Sequence, residues 1–167
     1  MPRNSYKNFI MVALLVVGIL LWEVVSYGAG NMDETTASIF IKVKERIRVS
    51  KKKDMAFADA YQGDPGDIVT ANNDGAALFL VTGEKGYTYL VTFPQSSIFL
   101  KTGTGDTPDK RIEVKNFTTD LPANLGKLDP TTGEQYFKVG ASRAGLLDSQ
   151  TVASDYQGTF TVRVTYQ

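Results

Sequence analysis

The sequence predicts an all-β fold that follows an apolar N-terminal helix, on three observations. Apolar and polar residues alternate with a period of two in most segments beyond residue 36, which is typical of strands with one face on a core. Clusters of Gly, Pro, Asn and Asp separate these segments and indicate turns. No apolar stripe of helical period occurs past residue 31. We therefore expect one β-sandwich domain over residues 31–167, preceded by residues 1–30.

The first 30 residues have the pattern of a targeting segment. Arg3 and Lys7 precede an unbroken apolar run, Phe9–Trp22, and small residues follow it. This order is typical of a secretory signal peptide, so we expect residues 1–30 to be removed after export. The alternative is an uncleaved anchor, since residues 9–29 are just long enough to span a bilayer. Both alternatives place the rest of the chain outside the cytoplasm, in the periplasm, at the cell surface or in the medium.

The first alternating segment covers residues 37–49. Its apolar row is Ala37, Ile39, Ile41, Val43, Ile47 and Val49. The opposite row is basic, and Glu45 interrupts the apolar row. This strict alternation predicts a strand with one water-facing side.

The central segments predict a hairpin. Ala77–Thr82 is a short continuous apolar run, typical of a central strand, and residues 87–93 alternate. The turn at residues 83–86 contains two glycines, so we expect the flanking strands to pair with each other.

Four further strands are predicted, at residues 98–100, 111–115, 137–141 and 160–166. In the last of them Phe160, Val162, Val164 and Tyr166 alternate with polar residues. About 7–9 short strands separated by turns at this spacing predict an immunoglobulin-like Greek-key β-sandwich.

Composition excludes several function classes. The chain has 18 basic and 18 acidic residues and contains neither His nor Cys. A balanced charge argues against nucleic acid as a partner. The sequence therefore lacks the usual general base and the thiolate nucleophile, and no pair of carboxylates is placed for hydrolysis. We predict no enzyme activity, no cofactor and no metal site.

Three local patterns have simple structural interpretations. Residues 70–75 resemble the start of a calcium-binding loop, but Thr70 holds the first ligand position, so a polar turn is favoured. Tyr87 and Tyr89 alternate with polar residues and are expected in the core or in cross-strand pairs. The basic cluster at residues 51–53 is expected to be a solvated face that discourages pairing between strand edges.

Two stretches and two short steps, in this order, resemble a known family. Residues 53–58 read Lys-Asp-Met-Ala-Phe-Ala, and residues 156–167 form a Tyr- and Gly-containing terminal strand. Between them lie Val81-Thr82-Gly83 and the Val-Gly step within residues 137–141. The pattern resembles the secreted "domain of unknown function 4402" family, which is similar to spore coat protein U and to archaic chaperone–usher fimbrial subunits.

The resemblance implies a non-catalytic structural protein of the bacterial surface, a fimbrial or pilus-type subunit. In such subunits the N-terminal segment of a neighbour completes a sandwich that lacks one strand, which is β-strand addition. The donor would be about residues 36–44, inserting Ala37, Ile39, Ile41 and Val43. The C-terminal assembly strand would present Phe160, Val162, Val164 and Tyr166.

The resemblance also implies partners, and two alternatives stay open. Expected partners are further copies or related subunits, with a periplasmic chaperone and an outer-membrane usher, whereas any ligand is unknown. Residues 36–49 are alternatively the first strand of the chain's own sheet, crossing between sheets near Glu45. The whole domain is alternatively a stand-alone binding or adhesion module for glycan or protein.

Overall fold

The computed structural model describes residues 35–167, so the predicted leader at residues 1–30 lies outside the described residues. The chain divides into two units, Met1–Lys42 and Val43–Gln167. In the first unit, residues 35–42 form neither helix nor strand, and their side chains are exposed. Within the described residues, no helix has the length and apolarity needed to cross a membrane.

The second unit contains nine strands in the described part of the chain. They are β1 (Arg48–Lys53), β2 (Asp67–Val69), β3 (Ala77–Thr82), β4 (Thr88–Thr92), β5 (Ser97–Lys101), β6 (Arg111–Thr119), β7 (Leu125–Lys127), β8 (Glu134–Arg143) and β9 (Arg163–Tyr166). Single 3-10 turns at Pro108–Lys110 and Pro122–Asn124 precede β6 and β7. Each turn begins with a proline, whose missing N–H costs nothing at that position.

The strands form two antiparallel sheets. The larger has six strands in the order β1-β3-β8-β6-β5, with β2 also paired to β8, and the smaller has the order β7-β4-β9. Strand β8 is the centre of the larger sheet: β3 and β2 pair with successive parts of one edge and β6 with the other. The expected all-β fold is confirmed at this level.

The two sheets share one apolar core. Buried residues at its centre come from both sheets: Ala77, Phe79, Val81, Tyr89, Val91, Leu128, Phe137 and Val139. Phe79 and Phe137 stack at 5.4 Å between ring centroids, an arrangement that adds to the area they bury. Alternate residues of β3, β4 and β8 supply this core, as the period of two predicts.

The predicted hairpin across residues 83–86 is wrong. Strand β3 pairs with β1 and β8, whereas β4 pairs with β7 and β9, so the chain crosses from one sheet to the other at this turn. Inner strands of two facing sheets show the same alternation as the two strands of a hairpin. A glycine turn also serves either connection, so the pattern alone does not distinguish them.

The first strand begins later than the alternation predicts. Pairing with β3 starts at Arg48 and continues to Lys53, beyond the last alternating apolar residue, Val49. Ser50 and the three lysines after it are exposed, which an edge strand tolerates because one of its sides faces water. The three-residue strands β2 and β7 were not predicted, because neither is long enough to show a period.

Tyr89 is the most enclosed tyrosine of the core. Its side chain is fully buried, and its hydroxyl has no hydrogen-bond partner among the described residues. Gly126 leaves the room it needs, since a Cβ there would lie 2.2 Å from Cζ of the ring. Burial, with a smaller contribution from the charge of Asp120, raises the pKa of Tyr89 from 10.0 to about 12.

We expect this pKa to make the fold sensitive to alkaline pH. The pKa of Tyr89 is higher in the folded than in the unfolded chain, so the free energy of unfolding is unaffected by this group below pH 10 and falls as pH rises from there through about 12. The decrease due to Tyr89 should reach about 2–3 kcal/mol, and it should be absent in Tyr89→Phe. Urea unfolding of both proteins between pH 8 and 12 measures the difference. Parallel pH profiles for the two proteins would contradict the assignment.

Candidate functional site

The N-terminal segment, residues 36–44, presents an apolar row to solvent. Ile39, Ile41 and Val43 are 96%, 87% and 82% exposed, and Phe40 on the opposite row is 89% exposed. Exposed apolar residues are ordinary when scattered, whereas a row with regular spacing is a candidate interaction surface. The predicted donor row, including Ala37, therefore lies outside the chain's own strands. Of the alternative first strand over residues 36–49, only Arg48 and Val49 are paired.

The second predicted row lies partly in β9. The strand begins at Arg163 and not at residue 160 as predicted, so Val164 and Tyr166 are in it whereas Phe160 and Val162 precede it. Phe160 stacks on Phe117 at 5.0 Å and meets Phe79 edge to face at 6.0 Å. Val162, Val164 and Tyr166 also pack on the core, yet all four residues of the row are only half-buried. Strand β9 pairs with β4 on one side, and no strand of residues 35–167 pairs with its other side. The row thus faces the core at an edge where no further strand covers it.

Three of the other outer edges, those of β5, β7 and β1, are protected in different ways. The β5 edge is bridged by Gln157, which exchanges backbone hydrogen bonds of 2.9 and 3.1 Å with Lys101. Strand β7 has three residues, too few to bind a partner strand firmly. The β1 edge carries Arg48 and three exposed lysines, the basic cluster expected to discourage edge pairing. The β9 edge, by contrast, combines an apolar row with a single charge, Arg163.

Tyr166 ties the end of β9 to the base of the N-terminal segment. Its hydroxyl donates to the backbone carbonyl of Glu45 at 2.9 Å and accepts from the backbone N–H of Glu84 at 2.6 Å. The Glu84 carboxylate accepts in turn from the N–H of Glu45 at 3.0 Å. These three bonds form a closed ring, the Tyr166 clamp, which uses both backbone groups of Glu45.

Neighbouring residues make room for the clamp. A Cβ on Gly83 would lie 2.2 Å from the Tyr166 hydroxyl, so only glycine fits beside it without displacing it. The Tyr166 ring packs edge to face on Tyr87 at 5.9 Å, and the ammonium of Lys44 lies 4.3 Å from the centre of the Tyr87 ring. The glycine of the Val-Thr-Gly step therefore has a second role, beyond the turn.

The acidic loops act as structural turns. Asn73 closes residues 70–75 by accepting the N–H of Gly75 at 3.0 Å and donating its own N–H to Thr70 at 2.9 Å. Lys101, hydrogen-bonded to Asp106 at 3.0 Å, lowers the pKa of that carboxyl, with help from Arg111. Among residues 35–167, no three acidic side chains come together in a way that would hold a metal ion.

A match to a protein family covers most of the second unit. The profile of the family described as Domain of unknown function (DUF4402) matches residues 47–166. The chain belongs to this family. Comparisons with curated proteins and with solved structures found no match. The DUF4402 region contains all nine described strands and Tyr166, and it begins two residues after Glu45.

Proposed function

We propose that this DUF4402 protein is an exported structural subunit of a fimbrial type that assembles by β-strand addition. The N-terminal segment of one copy would pair with the open edge of β9 in another. One observation carries the proposal: an exposed, alternating apolar row lies in the same chain as an open edge whose apolar row is half-buried. Main-chain hydrogen bonds supply affinity in such a pairing, and alternate side chains supply register.

The two rows match in length and spacing. Each has four apolar positions two residues apart, over residues 37–43 and 160–166. Alternate residues of a strand lie roughly 6.6 Å apart, so the positions remain aligned along the whole pairing. Burying Ile39, Ile41 and Val43 would contribute on the order of 5–8 kcal/mol before the cost of ordering the segment.

The proposal includes two finer assignments. Residues 1–30 would act as the export signal or anchor, and the domain would then lie in the bacterial envelope. The sandwich would be of the immunoglobulin-like Greek-key type, supported by the crossing between sheets after β3 and by the terminal strand β9 beside β4. A chaperone and an usher remain the partners that the fimbrial resemblance implies.

Self-association of the full chain tests the function. In mild non-ionic detergent, and as concentration rises, we expect oligomers that resist SDS at room temperature and dissociate on heating. Gel electrophoresis measures the resistance to SDS, and light scattering measures the size of the oligomers. A monomer at every concentration would instead support a stand-alone binding module, for which exposed Tyr61 and Tyr136 are the first side chains to test.

A further inference from the structure

Tyr166 belongs to two structures at once. Its backbone pairs with Tyr89 at the end of β9, the strand with the open edge. Its hydroxyl closes the clamp on Glu45, the residue that directly follows the exposed segment at residues 36–44. A change at the β9 edge therefore reaches the base of the N-terminal segment through one side chain.

We propose that Tyr166 couples the filling of the β9 edge to the anchoring of the N-terminal segment in the same copy. This inference rests on the strand addition proposed above. A strand that arrives at β9 would hold residues 160–166 in place, and the Tyr166 hydroxyl would then hold Glu45. A copy that has accepted a donor thus fixes the base of its own donor.

The physical basis is the position of the clamp at an open edge. Strand β9 pairs on one side only within residues 35–167, so its last residues are prone to local opening. Glu45 is exposed, so water competes for its backbone groups whenever Tyr166 moves away. Pairing on the second side of β9 suppresses this opening and keeps the three bonds of the clamp closed.

The hydroxyl, and not the ring, carries the coupling. The ring contact between Tyr166 and Tyr87 does not involve Glu45, whereas both clamp bonds made by Tyr166 pass through its oxygen. Tyr166→Phe therefore keeps the packing and removes the link. Gly83→Ala displaces the hydroxyl with Tyr166 still present, because the new methyl would occupy its place.

A donor fixed at its base needs less ordering when it binds the next copy. Ordering a free segment opposes association, and restraining part of it beforehand increases affinity. Copies that have accepted a donor would then donate better than copies that have not. Tyr166 is in this sense a positioning residue. Filament growth would then favour copies whose β9 edge already holds a donor segment.

The test uses a full chain that accepts a donor and cannot supply one. This acceptor carries Ile39→Asp and Ile41→Asp, and a synthetic peptide of residues 36–44 is the probe. Amide exchange at Glu45, read by NMR, reports the clamp, because its N–H donates to Glu84. Peptide binding should slow exchange at Glu45 by about fivefold or more, as expected when local opening is suppressed.

Variants of the acceptor separate the coupling from general stability. With Tyr166→Phe, the peptide should bind within about threefold of the original affinity, while exchange at Glu45 should no longer respond. Gly83→Ala should give the same result and serves as the second variant if the first does not fold. Tyr61→Phe is the matched control, since it removes a hydroxyl from an exposed tyrosine outside the clamp, and it should respond like the acceptor.

The outcomes distinguish the two proposals. Absence of peptide binding to the acceptor would overturn strand addition and the coupling with it. Binding without slower exchange at Glu45 would overturn the coupling and leave strand addition in place. An equal response in Tyr166→Phe and in the acceptor would also overturn it, because the hydroxyl would then not be the link.

Discussion

Replacing Ile39 and Ile41 together by Asp is expected to reduce association between copies by about 100-fold or more, since two carboxylates would have to be buried beside the apolar row at residues 160–166. The folded domain should be unaffected, because these side chains are 96% and 87% exposed in the single chain. Sedimentation velocity measures the association, and thermal unfolding checks the fold.

The matched control for this variant moves the same charges by one residue. Ser38→Asp with Phe40→Asp adds two carboxylates to the opposite row, which strand addition leaves facing water. It should associate within about fivefold of the unmodified chain. Equal losses in the two variants would show that charge in the segment matters and register does not. Unchanged association of the Ile39/Ile41 variant would exclude the segment as the donor.

Phe137→Ala is expected to cost the fold about 3–5 kcal/mol of unfolding free energy. Phe137 is 1% exposed at the centre of β8, and its ring stacks on Phe79 from the neighbouring strand. The truncation therefore opens a cavity between the two sheets. Most domains have only about 5–15 kcal/mol of stability, so this is a large fraction of the total. Urea unfolding followed by circular dichroism gives the value.

The neighbouring residue supplies the control for this variant. Tyr136 is on the same strand and is 56% exposed on the opposite face of the sheet. Tyr136→Ala should cost less than about 1 kcal/mol, because truncating a largely exposed side chain opens no cavity. Similar costs for the two substitutions would contradict the assignment of β8 faces.

The period of two predicts which face of a strand is buried better than it predicts which strands pair with each other. The inner rows of β3, β4 and β8 could be read from the sequence, because Phe79, Tyr89 and Phe137 each lie in an alternating or apolar run. The same signal failed at residues 83–86, where a connection between sheets has the composition of a hairpin turn. It also placed the first strand too early, because an edge strand such as β1 pairs through its backbone and needs no apolar side chains.

The sequence likewise predicted only part of the candidate site. Both apolar rows, at residues 37–43 and 160–166, were predicted from alternation and family resemblance together. The clamp was not, since Glu45 and Glu84 are 39 positions apart and their contact depends on where the chain leaves β3. The one feature of the sequence that pointed to the clamp was Gly83, because the turn at residues 83–86 already contains a second glycine, Gly86.

The central position of β8 in the larger sheet determines when the other strands can pair during synthesis. Its partners β2, β3 and β6 are all synthesised before it, and their pairing with it begins only once residues 134–143 exist. Pairing between distant parts of a chain is slow, and unpaired apolar strands aggregate while they wait. The run Ala77–Thr82 can pair with β1 on one side, but its other side has no partner for more than fifty residues of synthesis. That side of β3 is therefore the apolar edge that is exposed longest, whatever the chain assembles into afterwards.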